Sequence, residues 1–202
     1  MVTTRRRATY ADIEALPEHV VGEILEGELV SSSRPASRQA RAAGGIFNKI
    51  SNAFDDADAA PGSWWFMIEP ELHLGRDVVV PDLAGWRRER MPVLPDVPHF
   101  TLAPDWVCEI ASPSTARHDR TSKPRIYAAA EVAHMWIVDP LAHTLEVFAR
   151  DGDRWTFLVA HATDARVRVP PFEAIELDLG RWWLPDARRD PRARHARPEA
   201  LG

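Results

Sequence analysis

The sequence is poor in cysteine and lysine and has no long apolar run, and each shortage excludes a class of protein. No segment approaches the roughly 20 apolar residues that cross a bilayer, and residues 1–7 lead into polar sequence without the apolar core of a signal peptide. We therefore expect a cytoplasmic protein with no membrane partner. Cys108 is the only cysteine, so it forms no internal disulfide, and its apolar neighbours predict a small buried side chain.

An excess of positive charge is also missing, because the formal net charge is −5. A balance of this sign is not typical of a tight nucleic-acid binder. Arginines nevertheless cluster at residues 5–7, 34–41, 87–90 and 117–125. Any contact with a DNA partner would have to be local, and solvated arginines explain each single cluster equally well.

Length and composition bound the domain organisation. With 202 residues, 45% of them hydrophobic and 27% charged, the chain suits one well-packed domain. We expect that domain to span residues 1–184. Residues 185–202 contain five arginines and few apolar side chains, which predicts a disordered tail.

The first part of the chain predicts a helix, a hairpin and a longer helix. Thr9 with Asp12 three residues later is a variant of the capping box and predicts a short helix. The Glu26-Gly27 turn predicts a hairpin over residues 23–30. Apolar residues at three- and four-residue spacing predict an amphipathic helix over residues 37–57, with Ala40 at the start of its core face.

The rest of the chain is predicted to be mostly sheet. The expected elements, in chain order, are central strands over 64–74, 78–86 and 105–111, a helix over 123–131, and strands over 134–140, 144–148, 155–160 and 166–169. The tryptophans at 64, 65, 136, 182 and 183 are expected in the core or in an interface rather than as platforms that stack on bases. The histidines show no metal-ligand spacing.

The most informative segment is 106–115, because it places Glu109 in the middle of an apolar strand. A buried carboxylate is costly unless it is paired, hydrogen-bonded or bound to a metal. Asp82 lies in the preceding apolar segment, and the two acids come close if their strands pair. Two carboxylates suit Mg²⁺ or Mn²⁺, which can activate water and stabilise a phosphate during displacement.

Polar residues follow Glu109 where the chain leaves the end of the strand, which is where open sheets place their sites. Ser112, Asp119 and Lys123 are the candidates there. Lys49 and Lys123 are the only lysines. An ammonium beside the acids could orient an attacking water or offset charge on a phosphate.

Each candidate also has a structural explanation. Asp82 follows a proline and could cap a turn. Glu109 could form a structural ion pair with Lys123 or an arginine. Lys123 could be solvated at a helix start, and Asp119 and Ser114 could be turn or cap residues.

The motifs together resemble the Uma-type family of restriction endonucleases, a branch of the PD-(D/E)XK nuclease superfamily. The residues that carry the resemblance are Pro81-Asp82, the run from Glu109 to Thr115, Asp119, Lys123, Tyr127, and the run from Trp136 to Pro140. The resemblance implies an α/β (α+β), restriction-endonuclease-like fold, in which helices flank a mixed central β-sheet and an antiparallel β extension follows at the C-terminus. It also implies Asp82 and Glu109 as metal ligands, Lys123 as catalytic base or charge stabiliser, and Glu23 as a candidate additional acid.

Two positions depart from the family pattern. The superfamily's usual lysine lies two residues after the second acid, where this chain has Ala111, so its role passes to Lys123. The family also tends to have a histidine at the start of the long helix, where this chain has Arg38 and Gln39. If that histidine is needed for activity, we expect this protein to be catalytically impaired.

The sequence therefore predicts a metal-dependent endonuclease that hydrolyses phosphodiester bonds in DNA with Mg²⁺ or Mn²⁺. Two alternatives stay open: a catalytically impaired nuclease-like module that binds DNA or protein, and a phosphodiesterase that acts on RNA or nucleotides. A homodimer would let two sites address two strands, and Trp182-Trp183 is a candidate apolar contact for it.

Overall fold

The computed structural model describes residues 6–32, 36–55 and 63–185, which form helices around a large mixed sheet and a smaller antiparallel sheet. Three parts of the sequence predictions lie outside the described residues. They are the expected tail after Pro185, the arginines Arg5 and Arg34, and the end of the expected second helix at residues 56–57.

The first helix and hairpin form as the sequence predicts. Helix α1 (Tyr10–Glu14) begins after Thr9, whose backbone N–H donates to Asp12 Oδ2 at 2.7 Å. The hairpin consists of β1 (Val21–Leu25) and β2 (Glu28–Ser32). Its two turn residues have positive φ angles of 55° at Glu26 and 89° at Gly27, the backbone that tight hairpin turns require.

Six strands form the central sheet in the order β10-β9-β8-β7-β6-β3. Their bounds are β3 (Trp64–Ile68), β6 (Leu83–Arg87), β7 (Trp106–Ile110), β8 (His134–Asp139), β9 (Thr144–Asp151) and β10 (Arg154–Ala162). Strands β7 and β8 pair in parallel and the other neighbours pair antiparallel, which makes the sheet mixed. Strands β9 and β10 are the antiparallel extension.

The sequence prediction of two continuous central strands over 64–74 and 78–86 is wrong. Each segment divides between two sheets, because β4 (Leu72–Leu74) and β5 (Asp77–Val79) join the hairpin in a second sheet of order β2-β1-β5-β4. Glu69 has a φ of 49° and precedes a proline, and the other break contains Pro81, which has no N–H for a sheet ladder. Asp82 therefore lies where the chain crosses from one sheet to the other.

Helix α2 (Ser37–Phe54) covers one face of the central sheet. Ala42, Ile46 and Ile50 are fully buried against sheet residues, as the helical spacing predicts. The expected core position Ala40 is exposed, and Gln39 is buried in its place. The buried stripe is rotated by about one residue from the predicted one at the start of this helix.

The other face of the central sheet packs against helix α4 (Ser122–Ala129), whose Ile126 and Tyr127 contact apolar side chains of the sheet. This helix begins one residue earlier than predicted. A further short helix, α3 (Ala116–Asp119), precedes it and was not predicted. Both helices follow the end of β7, so they bring Asp119 and Lys123 back over that end.

The C-terminal segment adds β11 (Arg166–Val167), β12 (Leu177–Asp178) and a 3₁₀ turn over Leu179–Arg181. Trp182 and Trp183 are 1% and 4% exposed within this chain's own core. The suggestion that they form an apolar dimer contact is therefore wrong. Within the described part of the chain, no helix has the length and apolar character that a membrane crossing demands.

Candidate active site

A pocket of about 210 Å³ opens between the hairpin sheet and the end of β7. Its lining includes every residue that the sequence analysis selected: Glu23, Asp82, Glu109, Ser112, Asp119 and Lys123. These residues come from β1, the crossing between the sheets, β7, the following loop, α3 and α4. The fold thus assembles one site from positions that are scattered along the sequence.

Lys123 is the centre of this pocket and is only 3% exposed. Its Nζ lies 3.0 Å from Glu23 Oε1 and 3.0 Å from Glu109 Oε2. It also donates to the carbonyl oxygen of Val80 at 3.3 Å. The first turn of α4 faces the sheet, so the lysine extends into the interior rather than into solvent. The solvated alternative for Lys123 is therefore wrong.

Glu109 is held through both of its carboxylate oxygens. Lys123 donates to Oε2, and the hydroxyl of Tyr127 donates to Oε1. Lys123 and Tyr127 are four residues apart on α4 and so lie on the same helix face. The sequence analysis assigned Tyr127 no role at the site, although its spacing from Lys123 was a signal that could have found it.

Glu23 enters from β1 and is 4% exposed. Its Oε1 accepts a hydrogen bond from the backbone N–H of Val80 at 2.8 Å in addition to the contact with Lys123. The pairing of Ile24 with Val78 brings β1 beside β5 and sets this contact. No local pattern around Glu23 encodes that pairing, which is why only the resemblance indicated this acid.

Asp82 stands opposite Glu109 across the paired strands β6 and β7, since Leu83 pairs with Cys108. Its Oδ2 accepts a hydrogen bond from the backbone N–H of Ile110 at 2.6 Å. The side chain keeps some solvent contact at the pocket but is otherwise surrounded by protein. This burial raises the pKa of Asp82 to about 7, despite the opposing effects of the Ile110 N–H and Lys123.

Asp119 is the least satisfied acid of the pocket. It is 1% exposed, and neither of its carboxylate oxygens accepts a hydrogen bond of ordinary geometry from any described residue. The nearest cation is Lys123, whose Nζ lies 3.7 Å from Asp119 Oδ1. Burial raises the pKa of Asp119, and Lys123 opposes this rise. A buried carboxylate of this kind requires a proton or a cation.

Electrostatics set this pocket apart, because four carboxylates (Glu23, Asp82, Glu109 and Asp119) surround one ammonium. Burial alone lowers the pKa of Lys123, but the four carboxylates, Glu109 foremost, outweigh burial and raise it. Burial raises the pKa of Glu109, and Lys123 opposes that rise. The lysine therefore stays protonated. The ionised cluster would carry three negative charges in excess.

Hard divalent cations fit this set of ligands. Mg²⁺ and Mn²⁺ are bound by carboxylate, carbonyl and water oxygens. The pocket offers carboxylates from Asp82, Glu109 and Asp119, of which the last accepts no hydrogen bond of ordinary geometry from the described residues. The ion pair between Glu109 and Lys123 is present, but one lysine neutralises the charge of only one of the four acids. The structural ion pair and a metal site are therefore compatible.

The two departures from the family pattern meet at the pocket wall. Gln39 is 7% exposed, and its Nε2 lies 3.4 Å from the carbonyl oxygen of Ala111, to which it donates. Its Oε1 is buried without a hydrogen-bond partner among the described residues. The glutamine thus stands beside Ala111, the position at which the resemblance led us to look for a lysine. Lys123 lies in the same pocket.

Two further residues of the lining complete the description. Ser112 bonds within its own loop, since its Oγ lies 2.9 Å from both Ser114 Oγ and Thr115 Oγ1. These bonds help to shape the loop that lines the pocket. Glu69 is an exposed acid at the rim with positive φ, and the sequence analysis missed it because no strand or helix pattern marks it.

Comparisons with known proteins give a family and a fold. The family model described as "Uma2: Putative restriction endonuclease" matches residues 8–180. No curated protein matches the chain at a significant level. One similar solved structure is a crystal structure of a protein from Anabaena variabilis described as a "putative nuclease belonging to DUF820". It is 22% identical, with a TM-score of 0.69 over 87% of this chain and 98% of that one, which shows a shared fold.

Proposed function

Because the chain belongs to the Uma2 family, we propose that it is a metal-dependent endonuclease that hydrolyses phosphodiester bonds in DNA. The observation that carries the proposal is the buried pocket in which four carboxylates surround one lysine. An excess of buried oxygen ligands is what a site for Mg²⁺ or Mn²⁺ needs. The open side of the pocket leaves room for a phosphate.

Asp82 and Glu109 are the proposed metal ligands, and Asp119 supports them with a buried carboxylate that accepts no hydrogen bond of ordinary geometry from the described residues. A bound divalent ion would supply an activated water and offset charge on the phosphate. The hydrogen bond from Ile110 to Asp82 and the two donors to Glu109 fix both carboxylates. Such fixed outer contacts hold ligands in place before binding.

Lys123 is proposed as the charge stabiliser rather than the base. Its pKa is raised by the surrounding carboxylates, so it holds its proton at neutral pH. A protonated ammonium can hydrogen-bond the attacking water or a phosphate oxygen as charge develops there. Glu23 shares this ammonium with Glu109 and is proposed to position it.

The DNA part of the proposal is supported by a groove beside the pocket. Gln39 lines the pocket, and the next residues of α2, Ala40 and Arg41, line the groove. Arg41 and Lys49 are exposed there. Arg166 and Arg181 stand on the other wall, each within 4 Å of an acid of that wall. Local cations of this kind contact phosphates even on an acidic protein.

Cleavage assays test the proposal directly. Supercoiled DNA is incubated with wild type, Glu109→Gln and the exposed control Glu18→Gln, each with Mg²⁺, Mn²⁺ or chelator. We expect metal-dependent nicking by wild type and Glu18→Gln and none by Glu109→Gln. Cleavage that survives Glu109→Gln or the chelator would refute the assignment. RNA and a small nucleotide diester are added as alternative substrates.

One observation favours the non-catalytic alternative, a module that binds DNA without turnover. Ala111 stands where the superfamily has a lysine, and Arg38 and Gln39 stand near the position at which the family tends to have a histidine. In that case DNA binding persists with Mg²⁺ while no substrate is cut. Binding is measured by fluorescence anisotropy across a salt series. We expect Arg41→Ala to lower the salt slope by about 1, and the exposed Arg154→Ala to leave it unchanged.

A homodimer remains a prediction that no feature of the described residues tests. Its proposed use is to present two pockets to the two strands of a duplex. Sedimentation of the protein with and without DNA measures the oligomeric state.

A further inference from the structure

Glu71, His73 and His99 form a second cluster of metal-ligating side chains outside the carboxylate pocket. One ligand atom from each of the three residues lies within 4.8 Å of the other two. All three side chains are partly exposed, so an ion could enter from solvent. The sequence showed no ligand spacing among its histidines because these two lie far apart along the chain.

The backbone holds the two halves of the cluster together. His73 N–H donates to the carbonyl oxygen of Phe100 at 2.8 Å, and Phe100 N–H donates to the carbonyl oxygen of Glu71 at 2.9 Å. Leu72 and Phe100 form a parallel bridge, and both side chains are buried. The loop that carries His99 is therefore clamped to the strand that carries His73. Little backbone entropy remains to be lost on binding.

The side chains already contact one another. His73 Nε2 lies 2.7 Å from Glu71 Oε1, and Tyr10 donates its hydroxyl proton to the same oxygen at 2.9 Å. The rings of His73 and His99 stack with centroids 3.8 Å apart and 9° between their planes. A bound ion lies in the plane of each imidazole that holds it, so binding must turn one ring out of the stack. Both side chains are partly exposed, so we expect one ring to rotate when an ion binds.

We propose that Glu71, His73 and His99 bind one transition-metal ion of the Zn²⁺ type. Two imidazole nitrogens and one carboxylate oxygen suit Zn²⁺, Co²⁺ and Ni²⁺, and water completes the coordination. Mg²⁺ is disfavoured here because it prefers oxygen ligands. The carboxylate pocket has the opposite preference. The proposal does not depend on nuclease activity.

Such an ion would tie three separate parts of the chain. His73 belongs to β4, His99 to the loop before Phe100, and Tyr10 of α1 reaches the site through Glu71. Binding only to the folded protein raises its stability by mass action. We therefore expect Zn²⁺ to raise the melting temperature at a site that is not needed for cleavage.

The test uses protein without a histidine tag, and Zn²⁺ binding is measured by calorimetry. A background variant, Asp82→Asn with Glu109→Gln, disables the carboxylate pocket so that the remaining binding reports the second site. In that background we expect one Zn²⁺ per chain. His73→Gln or His99→Gln is expected to weaken binding by about tenfold or more, equivalent to about 1.4 kcal/mol. The exposed His19→Gln is the control and should change nothing.

Co²⁺ provides a second readout, since its visible absorption changes in position and intensity when protein ligands replace water. His99→Gln lies in a loop outside any strand, so it tests the proposal even if His73→Gln fails to fold. Loss of the Co²⁺ band in either histidine variant, with the band kept in His19→Gln, supports the site. Absence of Zn²⁺ binding in the background variant, or affinity unchanged by both histidine substitutions, would overturn it.

Discussion

The carboxylate pocket and the histidine cluster differ in burial and in donor atoms. The pocket encloses a lysine and acids that are at most 4% exposed, apart from Asp82 at its opening and Glu69 at its rim. The cluster stands at the surface, where the side chains of His73 and Glu71 are each 24% exposed. Desolvation makes every charge in the pocket costly, whereas water screens the cluster. Charged side chains therefore have large electrostatic energies in the carboxylate pocket and small ones in the histidine cluster.

The largest expected effect comes from removing the one cation of the pocket. Lys123→Met leaves the buried acids without their shared partner, so we expect a loss of about 3–5 kcal/mol in the free energy of unfolding. Cleavage should be abolished as well. Urea denaturation measures the stability. Lys49→Met changes the only other lysine, which is exposed, and should alter stability by under about 0.5 kcal/mol. Equal losses of stability in Lys123→Met and Lys49→Met would mean that the carboxylates of the pocket are protonated and uncharged.

The second prediction compares how Mg²⁺ and Zn²⁺ stabilise variants of the carboxylate pocket and of the histidine cluster. At a hundredfold excess over its dissociation constant, an ion that binds only the folded state stabilises it by about 2.7 kcal/mol. We expect Glu109→Gln to abolish stabilisation by Mg²⁺ and keep that by Zn²⁺, and His99→Gln to do the reverse. Thermal unfolding in each ion measures this. A single variant that removes both effects would show that the regions are one site.

The third prediction compares the only two tyrosines, one in each region. Tyr127→Phe removes the donor to buried Glu109 Oε1, and an unsatisfied buried acceptor costs about 1–3 kcal/mol. Tyr10→Phe removes an exposed hydrogen bond to Glu71, so we expect a smaller loss, under about 1 kcal/mol. Chemical denaturation of both variants gives the difference. A larger loss for Tyr10→Phe would contradict the contrast in burial.

The last prediction concerns the pH dependence of stability in chelator. Burial raises the pKa of Asp82 to about 7, whereas an unfolded aspartate titrates near pH 3.9. Between these values the folded state holds a proton that the unfolded chain has released. This group's stabilisation is therefore complete below about pH 4 and is lost as the pH rises through about 7.

Asp82→Asn should flatten that fall in stability. Because a divalent ion needs the ionised carboxylate, stabilisation by Mg²⁺ should conversely grow as the pH rises through the same range. Melting temperatures of wild type and variant across this range measure both trends. Mg²⁺ stabilisation that is greatest at low pH would contradict the role of Asp82 as a ligand.

Local pattern predicted much of the fold. The hairpin at Glu26-Gly27 follows from turn chemistry, helix α2 from its helical period, and the strand that contains Glu109 from its apolar run. The tryptophans of the core, such as Trp136, follow from hydrophobicity alone. These features depend on residues within a few positions of one another. The resemblance then supplied Glu23, which no local pattern marks.

Other features could not be read in this way. The division of segments 64–74 and 78–86 between two sheets depends on which strands pair, and pairing is decided by the whole core. Gln39 is buried and Ala40 exposed because α2 is rotated to fit the sheet, against the order of their hydrophobicity. Tertiary packing overrides local preference in both cases.

By itself, the sequence determined which chemical groups the protein carries: an acid in an apolar strand, a second acid after a proline and a rare lysine in the following helix. Only the tertiary structure decided which of these groups come into contact. The contact of β1 with β5 brings Glu23 to Lys123, and the bridge from Leu72 to Phe100 brings His99 to His73. The physical reason is that spacing along the chain sets the face on which a side chain lies, whereas pairing between distant segments sets which faces meet.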